Sequence, residues 1–291
     1  GRRAPRVGRL IGFALASALA WGGADFIGAL RTRTYGPLLV AAFTQLTGAC
    51  LFLIPFVFFR DPFPGWHIWI WGIGAGVFGS IGHVVFYAAL SRGPIGVIAP
   101  ILSMSSLGPV FYGMAIHGER PNALQIAGIL GCIAGVALVS RQADAGDSKH
   151  GKYGAVPLAL VAVLIVSGFL ICLDGASNES ASWGVIAKTS ISLPILLVWL
   201  WAGVRRGAED VPRGSLRAIA PVGLLDTGGL LLFAYATSLG DLGLAVVLSN
   251  LYPVITIALA RIRLGERLAP VQRIGAAVAL GGVAAVVAGS L

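Results

Sequence analysis

Charge is the scarcest commodity in this chain. Only 12 residues are Asp or Glu and 21 are Lys or Arg, a charged share of 11%, where a soluble domain carries roughly 25%. With 57% apolar residues and a mean hydropathy of +0.87, a water-soluble fold of this length could not hide its apolar side chains, whereas a bilayer removes the need to. Cysteine is scarce too. Cys50, Cys132 and Cys172 all fall inside apolar runs, with no paired spacing for a disulfide framework or a zinc site, so they read as packing thiols. Enzyme signatures are missing as well. There is no His-Glu-x-x-His and no Gly-x-Ser-x-Gly, since Gly79-Ser80-Ile81-Gly82 lacks the spacing. Without a Gly-x-x-x-x-Gly-Lys-Ser/Thr loop, ATP-driven work by this chain alone is not expected. No metal or cofactor is called for. The net charge of +9 does not make a nucleic-acid binder, because the basic residues sit in short breaks between apolar runs and form no continuous face. Flanking arginines at membrane surfaces account for them.

What the sequence does have is long apolar runs and 41 glycines. Ten runs approach the ~20 residues needed to cross a hydrocarbon core: about 10–30, 38–59, 67–90, 95–116, 122–140, 154–173, 184–204, 217–238, 243–262 and 270–289. The first follows an arm bearing Arg2, Arg3, Arg6 and Arg9. It is too long, and too plainly followed by others, to be a signal peptide. Backbone groups in lipid must pair within their own segment, so the spans are helices and the class is all-α integral membrane. The polar stretch 141–153 separates two halves, and a second polar loop covers 205–217.

The two halves repeat each other. Residues 87–120 and 235–267 open with Tyr87-Ala88 and Tyr235-Ala236 and close with Gly118-Glu119-Arg120 and Gly265-Glu266-Arg267. The closing triplets are 147 residues apart and the opening pairs 148, so about one residue was gained or lost between them. A Gly- and Ala-rich apolar run follows each triplet. The domains are therefore read as 1–146 and 147–291, five spans each. Five is odd, so the second half crosses in the opposite sense. Such inverted repeats enclose a site near the midplane, at the interface of the halves. Spans one, three, four, six, eight and nine are expected to line that central cavity. Glu119 and Glu266, beside Arg120 and Arg267, read as structural caps or latches. Gly72, Gly76, Gly128, Gly131 and Gly135 read as helix-contact surfaces within a monomer.

Ten spans in two halves, each closing on Gly-Glu-Arg before a Gly/Ala-rich helix, resemble the drug/metabolite transporter superfamily and specifically its EamA branch. Trp21-Gly22 fits the same pattern, as does Leu251-Tyr252-Pro253, whose proline stands thirteen residues before Glu266. In the first half Ser106 takes that place, flanked by Pro100 and Pro109. The resemblance implies a secondary exporter of amino acids or related metabolites, a multidrug or cation exporter being the alternative, in a bacterial inner membrane with both termini cytoplasmic. Loop charge argues otherwise: with the N-terminus inside, the inner loops hold six basic residues and the others fourteen. Readings of another class are an intramembrane enzyme or a scaffold; a scaffold explains the spans but not the duplication.

Ionisable side chains inside a membrane are costly, so each needs a reason. Trp21 and Asp25 share a helical face. Asp25 either meets a substrate ammonium or a proton there, or pairs at the surface with Arg31 or Arg33. His83 and Tyr87, with Ser80 a turn earlier, make a polar face on span three, either lining a cavity or satisfied by a neighbouring carbonyl. Asp226 on span eight is deeply placed and is a proton-coupling candidate with Asp25 and His83, unless it only bonds a neighbouring helix. Tyr235 is read as repeating Tyr87. Ser103 on span four and Asn250 and Tyr252 on span nine lie where prolines loosen the helices, and Ser249, Tyr252 and Thr256 share one face. Lys188 is near its helix start and is expected to snorkel to the surface, beside the acidic break holding Asp174, Asn178 and Glu179. The partners expected are a small-molecule substrate and the lipid bilayer.

Overall fold

Breaks in the helical pattern fall at residues that cannot continue a helix or that cap one. Gly36 sits at φ +80° between the first two helices, and Gly265, at φ +66°, ends the tenth, a conformation that glycine adopts without a Cβ penalty. Pro94 precedes the fourth helix. Ser180 caps the eighth, accepting from the Trp183 amide at 3.4 Å. The computed structural model describes residues 4–59, 62–116, 121–141, 152–177, 180–238 and 248–289. These form α1 (Ala4–Tyr35), α2 (Pro37–Phe59), α3 (Ile68–Arg92), α4 (Ile95–Ser103), α5 (Leu107–Ile116), α6 (Ala123–Arg141), α7 (Lys152–Ser177), α8 (Ala181–Arg205), α9 (Ser215–Ser238), α10 (Tyr252–Leu264) and α11 (Pro270–Gly289). No strand occurs among the described residues.

Seven helical runs among the described residues are long and apolar enough to cross a membrane, and Pro37–Leu51 and Ala123–Gly135 are shorter apolar stretches. The start of the expected ninth span lies outside the described residues, as do Gly118-Glu119-Arg120, Asn178, Glu179 and most of the 141–153 stretch. Span four is not one helix. A 3₁₀ turn at Met104–Ser106 separates α4 from α5. Pro109 has no N–H to give the Ser105 carbonyl four residues back; that oxygen accepts instead from Ser167 Oγ on α7, at 3.1 Å. The bend is thus stitched to the other half of the molecule.

The packing exchanges the halves about a two-fold. A Cβ placed on Gly128 of α6 would lie 2.7 Å from the Gly282 carbonyl oxygen on α11, and one on Gly135 would lie 2.7 Å from that of Gly275. Gly128 and Gly275 are repeat partners at a spacing of 147, and so are Gly135 and Gly282. Early α6 therefore meets late α11 and the reverse: the two helices run antiparallel and share one contact made twice. Cys132 Sγ lies 3.6 Å from the carbonyl oxygen of Ala279, its own repeat partner. The same exchange recurs elsewhere. Gly76 of α3 meets Ile191 of α8, while Gly223 of α9 meets Thr44 of α2, both members being 147 residues removed. A two-fold that relates antiparallel helices lies across their axes, and for helices spanning a bilayer it lies in the membrane plane.

Glu266 joins the halves at one corner. Its two carboxylate oxygens accept from the amides of Ile95 at 3.3 Å and Gly96 at 3.2 Å, the orphan donors at the start of α4. The expected latch is present at this position. Glu266→Ala is expected to lower stability by about 1–2 kcal/mol, and Glu266→Gln, which keeps an accepting oxygen, by less; thermal unfolding in detergent measures both. A capping box opens α6, where the Asn122 amide donates to Gln125 Oε1 at 2.8 Å and the Gln125 amide to Asn122 Oδ1 at 2.9 Å.

Candidate functional site

Small residues at the crossings bring the helices close, yet leave a central cavity of about 330 Å³. Its walls come from α1, α3, the α4–α5 bend, α7, α9 and the segment leading into α10. That volume suits a small metabolite, at the lower end of ligand sites of ~300–1,000 Å³.

Eight of the nine residues singled out from the sequence line it: Trp21, Asp25, His83, Tyr87, Ser103, Asp226, Asn250 and Tyr252. Tyr235 does not, and its reading needs correction. It is 49% exposed and stacks on Phe13 at 5.9 Å. The packed glycines keep the 147-residue register, which sets Tyr235 opposite Ala88 rather than Tyr87. One residue along a helix is a rotation of about 100°, enough to aim Tyr235 out of the cavity. The same register pairs Phe86 with Phe233, and both line the cavity. Reading the tyrosines as the repeat hid these two phenylalanines.

The aromatic wall is built on Trp21. Its indole N–H donates to the backbone carbonyl of Asp226 at 3.1 Å. Its ring meets Phe233 at 5.8 Å and Tyr252 edge-on at 6.3 Å. Space for it exists because position 229 is glycine; a Cβ there would lie 2.8 Å from the indole Cδ1. Ser249 and Thr256 flank Tyr252 and bind α1, donating to the carbonyls of Ala14 at 3.3 Å and Gly22 at 3.2 Å. Opposite, Tyr87 is buried, with His83 at 6.2 Å and Phe86 at 5.7 Å between ring centres. Gly28 on α1 makes room for the Tyr87 ring. Ser103 donates its hydroxyl back to the Pro100 carbonyl at 2.7 Å, so only its lone pairs are left for a ligand.

Asp25 faces the cavity rather than the surface, while Arg33 reaches the Gly93 carbonyl at 3.4 Å. Asp226 is within Coulombic reach of Asp25, His83 and Lys188. Lys188 is the second correction. It does not snorkel. Its ammonium donates to Gln45 Oε1 on α2 at 3.1 Å and lies 5.9 Å from the centre of the Phe169 ring. α8 lies against α3, with Ala187 fully buried beside Gly72, so Lys188 is turned inward. Gln45 then presents its Nε2 to His83 Nδ1 at 3.4 Å, and the same ring nitrogen lies 3.1 Å from the Gly79 carbonyl. Nδ1 thus stands between a donor and an acceptor, and the tautomer chosen decides whether Nε2 donates or accepts. Gln45 was missed in the sequence; the signal was a lone amide between Thr44 and Thr47 in an apolar run.

The frame is symmetric and its chemistry is not. The register pairs Ser103 with Asn250 and Ser105 with Tyr252, and all four line the cavity. Asp226, however, stands where the first half has Gly79, and the stretch of the second half that answers Asp25, residues 168–172, holds no carboxylate. Lys188 corresponds to Ala41 and His83 to Leu230. Every ionisable group at the site is an unmatched addition to a duplicated scaffold.

A model of the EamA-like transporter family matches residues 9–141 and 154–288. A solved structure described only as "Crystal structure of protein" is similar over 95% of this chain and 95% of its own, at 20% identity and a TM-score of 0.60, a likeness of fold alone. Among proteins of curated function none matches.

Proposed function

The chain belongs to the EamA-like transporter family, and on that premise we propose that it is a secondary exporter of small amphipathic metabolites, amino acids first. Multi-pass membrane transport is the family's trade; the substrate class, the direction and the mechanism are our reading. The observation that carries it is the central cavity between the exchanged halves, with aromatic walls and two carboxylates. Trp21 and Tyr252 beside Asp25 suit a substrate ammonium, by charge and by cation–π contact. His83, with Gln45 and Lys188 behind it, and Ser103 and Asn250 offer hydrogen bonds to its polar remainder. Asp226, near His83 and Lys188, is the first choice for a coupling proton, with Asp25 and His83 the other candidates.

In this reading ten spans in two inverted repeats, 1–146 and 147–291, rock about the α6–α11 crossing and expose the cavity to each side in turn. The protein works as a monomer in a bacterial inner membrane with both termini cytoplasmic. Uptake of labelled amino acids and amines into proteoliposomes, with and without a pH gradient, is the test. Saturable flux of at least one amino acid is expected. Flux of hydrophobic cations alone would favour the multidrug alternative, and no flux of any compound sinks the exporter reading.

A further inference from the structure

Outside the central cavity the molecule has a second, larger hollow. α10 leans on α1 and α4, whereas α11 lies along α6. These neighbours in sequence diverge, and a crevice of about 640 Å³ opens between them. Val254 and Ile257 form one side of it and Ala276, Ala277 and Leu280 the other. From Val254 to Arg261 α10 rises about 10 Å, so the crevice runs well beyond its mouth into the apolar layer.

The mouth is basic. Arg261 at the end of α10, Arg267 in the turn and Arg273 at the start of α11 converge there, and all three are exposed. The one acid among the lining residues is Glu266, and both its oxygens are engaged by the start of α4. Among the described residues none of the three arginines makes an ion pair. The hollow therefore sets three guanidinium groups against one carboxylate at a polar turn, with an apolar slot leading inward.

We propose that this crevice is a site for an anionic glycerophospholipid of the surrounding bilayer, its phosphate held by Arg261, Arg267 and Arg273 and one acyl chain laid along Val254, Ile257 and Leu280. Guanidinium forks match phosphate oxygens in geometry as well as charge. Basic pockets between membrane helices commonly take such headgroups. A free phosphate has no use for the apolar slot, and a zwitterionic lipid has no use for three arginines. The opposite side of α10 carries Tyr252 and Thr256 toward α1 and the cavity, so the lipid also shims a wall of the central site.

The test needs no transport, so it stands or falls apart from the exporter reading. Protein purified in detergent is mixed with phosphatidylglycerol and phosphatidylcholine, and retained lipid is weighed by native mass spectrometry. Phosphatidylglycerol is expected to be retained about tenfold over phosphatidylcholine. The R261Q/R267Q/R273Q variant should bring that ratio near one. Ala277→Phe, which fills the slot and spares the arginines, should also lose the retained lipid, which guards against a triple variant that fails to fold. Millimolar inorganic phosphate should not displace it. Equal retention of the two lipids, displacement by phosphate alone, unchanged retention in Ala277→Phe, or a second copy of the chain seated there in place of lipid overturns the proposal.

Discussion

Asp226→Asn makes flux indifferent to an imposed pH gradient, while Asp25→Asn keeps the gradient response and weakens substrate binding about 10–100-fold. The division follows from what stands beside each carboxylate. Asp25 shares its wall with Trp21 and Tyr252, and a carboxylate beside aromatic faces suits the cation of the proposed substrate. A hydrogen bond to a charged group contributes about 1.5–3 kcal/mol, which corresponds to that loss of affinity. Asp226 has His83 and Lys188 within Coulombic reach, two groups that can exchange or offset a proton. Position 226 is glycine in the other half, so the scaffold does not need a carboxylate there, and the amide keeps its shape. Proteoliposome flux at matched and unmatched pH, with equilibrium binding of the same labelled compound in detergent, reads both variants. A gradient response surviving in Asp226→Asn clears that residue of proton coupling. Unchanged affinity in Asp25→Asn removes it from the substrate site.

Gly135→Leu abolishes the folded protein, or lowers its stability by about 3 kcal/mol or more, and Gly281→Leu does neither. A Cβ on Gly135 would lie 2.5 Å from the Ala279 amide nitrogen and 2.7 Å from the Gly275 carbonyl oxygen. Those are main-chain atoms, which cannot swing aside as a side chain does, so the helices must part. In lipid, where close van der Waals contact drives association, parting them forfeits most of what holds them together. Gly281 faces open space, with nothing within 4 Å of its Cβ position. Yield of monodisperse protein and its thermal unfolding decide the comparison. A Gly135→Leu variant as stable as the wild type would mean that α6 and α11 do not cross as described.

Much of this was legible before any coordinates, because a duplicated membrane chain writes its architecture into spacing. Apolar run length located seven of the expected spans as long apolar helices, and the odd number of expected spans called for inversion. Residues such as Asp25, Asp226 and His83 stood out because hydrocarbon tolerates so few ionisable groups. What stayed hidden depended on helical phase and on partners distant in sequence. Tyr235 was misplaced because a one-residue slip goes unnoticed in a string but turns a side chain away from its neighbours. Lys188 was misplaced because nearness to a helix start says nothing about which way that helix faces, and Gln45, 143 residues away, gave no sign of being its acceptor. The crevice between α10 and α11 was invisible for a related reason: adjacent spans are taken to pack together, and these two do not.

Cys132 and Ala279 are repeat partners that meet near the middle of the α6–α11 seam. The thiol rests on main chain, at 3.6 Å from the Ala279 carbonyl oxygen, so a larger side chain at 132 presses on backbone that cannot swing aside, and the whole seam has to open to admit it.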